Sequence, residues 1–230
     1  LGKAVVPHVI LVLFSGIILL PLLWILRVSL TDKLTAYKIP PEVGTLGLMN
    51  YATIFADYPF VTWFGNSLIV ALATTAISLP LATALAYVFA RFNLGGAALR
   101  LGVLASQMLP PIILVLPLFV VFLSAGLMQS RLGLIIAHLT ICLPFLAWML
   151  VSFFEGDVAR LEEAARVDGA TRWQAFIRIA VPVAAPGLLA AGLLGFILSW
   201  NEFLFALVLS GPDTQTLPVS ITSFLTFQGV

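Results

Sequence analysis

Residues 132–154, LGLIIAHLTICLPFLAWMLVSFF, carry no charged side chain from one end to the other. A helix needs about 20 mostly apolar residues to cross a hydrocarbon core of about 30 Å, and this stretch supplies them. The strands of a transmembrane barrel would instead read as alternating segments of about 10 residues, and no such segment occurs. The next residues, 155–187, read EGDVARLEEAARVDGATRWQAFIRIAVPVAAPG, an abrupt return to charge and small side chains.

Further charge-free runs lie outward from this pair: Ala4–Leu26, Tyr58–Ala90, Leu101–Ser130 and Ile179–Asn201. Trimmed by their polar flanks, the five runs predict membrane spans near 6–28, 67–90, 102–125, 132–153 and 182–209. The second is expected to start near Asn66, because Thr62–Gly65 follow a proline and aromatics suited to an interface. The fold class is all-α: a polytopic helical bundle, a single transmembrane domain over 1–230. Five spans leave the tail Leu217–Val230 on the side opposite the N-terminus, without a closing anchor. A sixth helix is therefore expected beyond the C-terminus, and Leu1 in place of an initiating Met implies residues ahead of it.

Composition agrees. Of 230 residues, 61% are hydrophobic and 9% charged, with a mean hydropathy of +1.14, against about 45–50% and 25% for soluble domains. So few charges cannot furnish a water-facing surface, which excludes a soluble enzyme and a disordered chain. A net charge of +1 offers no basic face to nucleic acid. Cys142 is the sole cysteine, so neither a disulfide framework nor a cysteine metal site is expected. The first apolar run is too long for the roughly 7–15-residue core of a signal peptide.

Basic residues near span ends set orientation. With a cytoplasmic N-terminus, Lys3, Arg91, Arg100, Arg160, Arg166, Arg172 and Arg178 lie inside, and Arg27, Lys33, Lys38 and Arg131 outside. That makes 30–65 an external loop and 155–181 a cytoplasmic one. Pro110, Pro111 and Pro117 crowd the third span and predict a bent helix there.

The cytoplasmic segment is built as a sharp corner. Val158, Leu161, Ala165 and Val167 put small apolar groups on roughly one face of a short helix, and Glu162 and Arg166 are spaced for a surface pair. Gly169 is free to adopt positive φ and end it. Thr171 and Gln174 form a capping-box pattern that starts a second helix, carrying Trp173, Phe176, Ile177 and Ala180 and entering the bilayer at Pro182. Glu155, Asp157, Glu162, Glu163 and Asp168 outnumber the four arginines of this segment. A helix lying on lipid headgroups carries mainly Lys and Arg, so acidic residues beside Ala164 and Ala165 favour docking into a groove on another protein.

Glu163-Ala164-Ala165, three residues, Gly169, nine residues, Ile179, one residue and Val181-Pro182 resemble the EAA-x3-G-x9-I-x-LP pattern of the membrane subunits of bacterial ABC importers. Val181 in place of leucine is the one departure. Asn66-Ser67-Leu68, Ser199-Trp200-Asn201-Glu202-Phe203 and Leu217-Pro218-Val219 extend the likeness to the carbohydrate, maltose-type branch. The resemblance implies a multi-pass permease subunit of a bacterial inner membrane, importing a sugar or oligosaccharide. Its 158–169 helix would couple to a partner ABC ATPase dimer, through Leu161, Glu162, Glu163, Ala164, Ala165, Asp168 and Gly169. A second permease and an extracytoplasmic solute-binding protein complete the implied assembly. No G-x-x-x-x-G-K-[ST] loop occurs in the sequence, so the chain is not expected to be an enzyme or to hold a cofactor. ATP and Mg²⁺ fall to the partner.

Glu202 is the one carboxylate inside a proposed span, where a charge costs about 2.5–3.5 kcal/mol. It is expected to face the bundle or a cavity, and Asn201 and Glu202 are the candidates for the translocation path. His138 and Thr140 read as interhelical hydrogen-bonding groups. Two other classes compete: a proton-coupled secondary transporter using Glu202, which would show internal repeats, and an intramembrane hydrolase built on His138, which lacks a nucleophile motif.

Overall fold

The computed structural model describes residues 2–36, 38, 44–92 and 96–227. The last three residues of the tail, parts of the external loop, and the side chains of Lys3 and Lys33 lie outside the described residues. The chain divides into two units, Leu1–Val61 and Thr62–Val230.

In the first unit, α1 (Gly2–Leu30) is apolar all round and exposed along Val6–Leu26, as expected of a helix surrounded by lipid or partner helices. Its end is closed by side chains. Asn50 Nδ2 donates to Ser29 O at 2.9 Å and Thr31 O at 2.8 Å, satisfying main-chain carbonyls that have no helical donor. Thr31 forms an isolated antiparallel bridge with Leu46, between α2 (Lys33–Ala36) and α3 (Met49–Asp57), which carries Asn50.

The second unit takes up the body of α4 (Phe60–Phe92), which begins before the expected Asn66 because Thr62–Gly65 continue the helix. The third span is not one straight helix. Leu109 and Pro110 both precede a proline, and a residue before proline is pushed out of the α region. α5 (Gly96–Met108) and α6 (Pro111–Ser124) therefore meet at 93°. α7 (Arg131–Phe154) is the central helix. Ser130 caps its start, accepting from Gly133 N at 3.0 Å.

The corner follows as α8 (Asp157–Val167) and α9 (Arg172–Ala175). A π-helical turn (Phe176–Ala180) and α10 (Val181–Val183) lead on into α11 (Ala185–Trp200). The wide turn lies directly ahead of Pro182, which has no N–H to give. A second bend, of 72°, falls at Ala184 between Val183 and Ala185. The fifth span does not run unbroken to residue 209, because α11 stops at Trp200 and α12 (Leu204–Leu209) starts again beyond Asn201–Phe203. A last helix, α13, runs from Leu217 to Phe227.

By length and composition, three helices among the described residues can cross a membrane, or up to five if each bent pair is one span. α11 packs on α7 through Gly187, Ala191, Gly195 and Ser199, all buried and spaced four apart. Such small-residue stripes let helix backbones approach where no hydrophobic driving force acts. Among the described residues, the buried apolar side chains fall into two clusters. One gathers Tyr87, Leu150, Phe154, Val158 and Phe176 at the α8 end, and the other Val70, Phe122, Leu134, Phe205 and Leu209 towards the opposite end.

Candidate functional site

The corner at α8 ends in a complete Schellman motif. Ala170 N donates to Ala165 O at 3.0 Å and Gly169 N to Arg166 O at 3.1 Å. Gly169 takes φ 94°, and the space around it is open, so the demand for glycine there is one of backbone conformation alone. Thr171 Oγ1 accepts from Gln174 N at 3.2 Å while Gln174 Oε1 accepts from Thr171 N at 2.9 Å, the reciprocal capping box.

Of the seven docking candidates, Leu161, Glu163, Ala164, Asp168 and Gly169 lie exposed, Ala165 is half-buried and Glu162 is buried. The inner face of α8 is Val158–Glu162–Ala165, and Leu161 and Val167 point away from it. The single apolar face expected from sequence is therefore two faces. Glu162 is not a surface partner of Arg166 either. Its Oε1 accepts from Tyr87 OH at 2.7 Å and its Oε2 from Arg91 Nε at 2.7 Å. The four-residue spacing was locally reasonable, but a fully formed pair on α4 outcompetes a solvated one. A recess of about 150 Å³ opens beside it, lined by Arg91, Phe92, Glu162, Glu163, Arg166 and Arg172.

Glu202 does not sit within a helix. It stands in the break between α11 and α12, where Oε1 accepts from Phe205 N at 2.9 Å and Oε2 from Ala206 N at 3.1 Å. The carboxylate thus satisfies donors that α12 leaves open at its start. His138, buried on α7, joins it: Nδ1 lies 2.8 Å from Ser199 Oγ, and Nε2 lies 3.3 Å from Glu202 Oε2. That second contact is an ion-pair distance whose alignment falls outside hydrogen-bond geometry. Asn201 is exposed, with Nδ2 donating to Ile197 O at 2.8 Å. A cleft of about 470 Å³ opens here, lined by Pro110, Pro111, Ile112, His138, Asn201 and Glu202 among others. Two of the helix interruptions, at Pro110 and at Asn201–Phe203, face the same cleft. Irregular backbone at membrane depth is tolerated where it lines a cavity or is buried in protein. No group of three or more metal-ligating side chains occurs among the described residues.

At the far end of the second unit, Asn66 is wholly buried. Its Nδ2 donates to Asp213 O at 3.0 Å and Gln215 O at 2.9 Å, and its Oδ1 accepts from Arg131 Nε at 2.8 Å. Ser67 Oγ accepts from Leu217 N at 2.7 Å. The Asn-Ser-Leu and Leu-Pro-Val segments, far apart in sequence, are one contact in space.

Residues 78–229 match the family described as binding-protein-dependent transport system inner membrane component. The chain is 43% identical to a putative ABC transporter permease protein, ORF1, of Streptomyces antibioticus, over 80% of this chain and 81% of that one. It is 40% identical to the trehalose transport system permease protein SugB of Mycobacterium tuberculosis, over 92% and 78%. The sulfoquinovosyl glycerol transport system permease protein SmoH of Agrobacterium fabrum is also 40% identical, over 88% and 73%. In fold it is similar to a chain of a bacterial ABC transporter involved in import of the acidic polysaccharide alginate. The TM-score is 0.75 at 23% identity, over 99% of this chain and 81% of that one.

Proposed function

Because this chain belongs to the family of binding-protein-dependent transport system inner membrane components, we propose that it is the permease subunit of a sugar importer powered by a separate ATPase dimer that docks on α8. The observation that carries this reading is the outer face of α8. Leu161, Glu163, Ala164 and Asp168 are exposed there, on a helix whose end is fixed by the Gly169 turn and whose inner face is locked to α4. A helix held so firmly from within, presenting Leu161, Ala164 and the acidic groups outward beside the exposed Arg160 and Arg166, suits insertion into a groove on a partner. Arg91, Arg166 and Arg172 line the recess beside Glu162, and Arg160 and Arg178 belong to the same stretch of sequence, which supports a cytoplasmic α8 and N-terminus.

ATP and Mg²⁺ are held by the partner, and closure of its dimer moves α8 and rocks the helices between outward- and inward-open states. The cleft at Asn201 and Glu202 is the candidate path for the sugar, because two broken helices open onto it. A second permease subunit completes the path, and an extracytoplasmic binding protein delivers the solute. The sugar or glycoside class is supported by relatives whose names carry trehalose and sulfoquinovosyl glycerol. Glu202 as the proton site of a secondary transporter has weaker support, since both its oxygens already accept main-chain amides.

Co-purification of the subunit with its neighbours in mild detergent tests the reading. An ATPase is expected to accompany the parent chain and to be lost with Glu163→Lys. A parent chain that is well inserted and binds no ATPase overturns it.

A further inference from the structure

Arg91 reaches α8 twice. Its Nε donates to Glu162 Oε2 at 2.7 Å and its Nη2 to Ala159 O at 2.8 Å, while Tyr87, one turn earlier on α4, donates from its hydroxyl to Glu162 Oε1 at 2.7 Å. Two successive turns of α4 therefore hold two successive turns of α8. The side chains of Arg91 and Glu162 are 13% and 6% exposed, so the pair is withdrawn from water. Around it, the Tyr87 ring lies 4.4 Å from Phe176 and 5.8 Å from Phe154. The last turn of α7 and the turn leading towards α11 thus close on the same point.

An apolar contact between two helices can slide. A buried, multiply bonded ion pair has fixed lengths and directions, and removing one partner strands a desolvated charge. From these contacts we infer that Arg91 and Tyr87 are positioning residues that make α4 move with α8 as one rigid piece, so that displacement of the docked helix becomes displacement of α4. At 1.5 Å per residue α4 is about 50 Å long, and its other end holds the 213–217 segment through Asn66 and Ser67. Motion imposed at α8 is carried in this way to the opposite end of the bundle. The inference rests on the reading of α8 as the ATPase-docking helix.

The test uses the complete importer, the permease co-expressed with its partner subunits, in nanodiscs and in a Cys142→Ser background. Spin labels are placed at Val167→Cys on α8 and Leu81→Cys on α4, both exposed positions. In the parent, the interlabel distance is expected to stay the same between nucleotide-free and ATP–vanadate-trapped states. With Arg91→Ala it is expected to change by several ångström on trapping while ATP hydrolysis persists, and Arg91→Lys is expected to restore part of the fixed distance. Tyr87→Phe keeps the ring and removes one bond, so it gives a smaller version of the same change and decides the matter should Arg91→Ala fail to assemble. A merely structural role would lower yield without making the distance sensitive to nucleotide. A parent distance that changes on trapping, or an assembled Arg91→Ala importer with the parent's constant distance, overturns the inference. Loss of the docking reading itself is seen separately, as absence of the ATPase from the purified parent.

Discussion

Arg131, the first residue of α7, donates from Nε to Oδ1 of Asn66 on α4 across 2.8 Å, so one buried amide joins two helices and the loop that precedes α13. Replacing Asn66 with Leu would leave the Asp213 and Gln215 carbonyls and a guanidinium N–H without their partner. Each buried group left unsatisfied costs about 1–3 kcal/mol, and relaxation of the loop towards water recovers part of it. Asn66→Leu is expected to lower stability by about 2–4 kcal/mol on the same scale, read as a fall in the thermal unfolding midpoint in detergent. Asn66→Asp keeps the acceptor and loses both donors, and should fall between Leu and the parent. Equal midpoints for all three chains would mean that the loop is held by other contacts.

The turn after α8 separates conformation from contact. Gly169 stands at φ 94° with open space where a β-carbon would lie, so Gly169→Val is opposed by the backbone alone, at about 1–2 kcal/mol. That is small beside the stability of the whole chain, so the subunit should still insert. What changes is the direction of the chain leaving α8, and ATP-coupled uptake is expected to be lost. Glu163→Lys, on the exposed face, should abolish uptake without altering stability. Uptake at the parent level by either variant, at parent expression, would remove the docking role from this corner.

Gly133 and Gly102 form a matched pair. A β-carbon on Gly133 would run into the main-chain carbonyl of Leu127, which cannot swing aside, whereas one on Gly102 meets nothing within 4 Å. Gly133→Ala is expected to cost about 1–3 kcal/mol through overpacking. Gly102→Ala, in the middle of α5, should be neutral or stabilising by about 0.5–1 kcal/mol through helix propensity. Similar midpoints for the two variants would contradict the close approach at the start of α7.

Local features were legible in the sequence and distant ones were not. Charge-free runs announce the spans, because lipid demands them wherever they fall. Pro110 and Pro111 announce the bend, and Gly169, Thr171 and Gln174 announce the corner, because each acts within one turn of itself. Glu162 faces inward for a reason that no window around it contains: Tyr87 and Arg91 lie 75 and 71 positions away. The break that turns Glu202 from a mid-helix charge into the cap of α12 mixes the two: the amides of Phe205 and Ala206 are three and four residues away, whereas His138 comes from α7. The stripe Gly187, Ala191, Gly195, Ser199, which the charge-free run alone does not single out, has a four-residue spacing that marks the face of α11 meeting α7.

His138 and Glu202 allow a closing test of the broken helix. His138→Leu removes the partner of Ser199 Oγ and the imidazole 3.3 Å from Glu202 Oε2, at an expected cost of about 1–3 kcal/mol. Glu202→Gln keeps one acceptor for the start of α12 and loses the second, together with the charge facing His138. If the two side chains act as one unit, removing either already removes their mutual term, so the double variant should be less destabilised than the two single costs added. Pairs in contact typically deviate from additivity by about 0.5–3 kcal/mol, and independent sites by less than about 0.5. Unfolding midpoints of the parent, both single variants and the double variant close the cycle. Additive costs would leave Glu202 as a local cap of α12, with α7 taking no part in holding the interruption that faces the cleft.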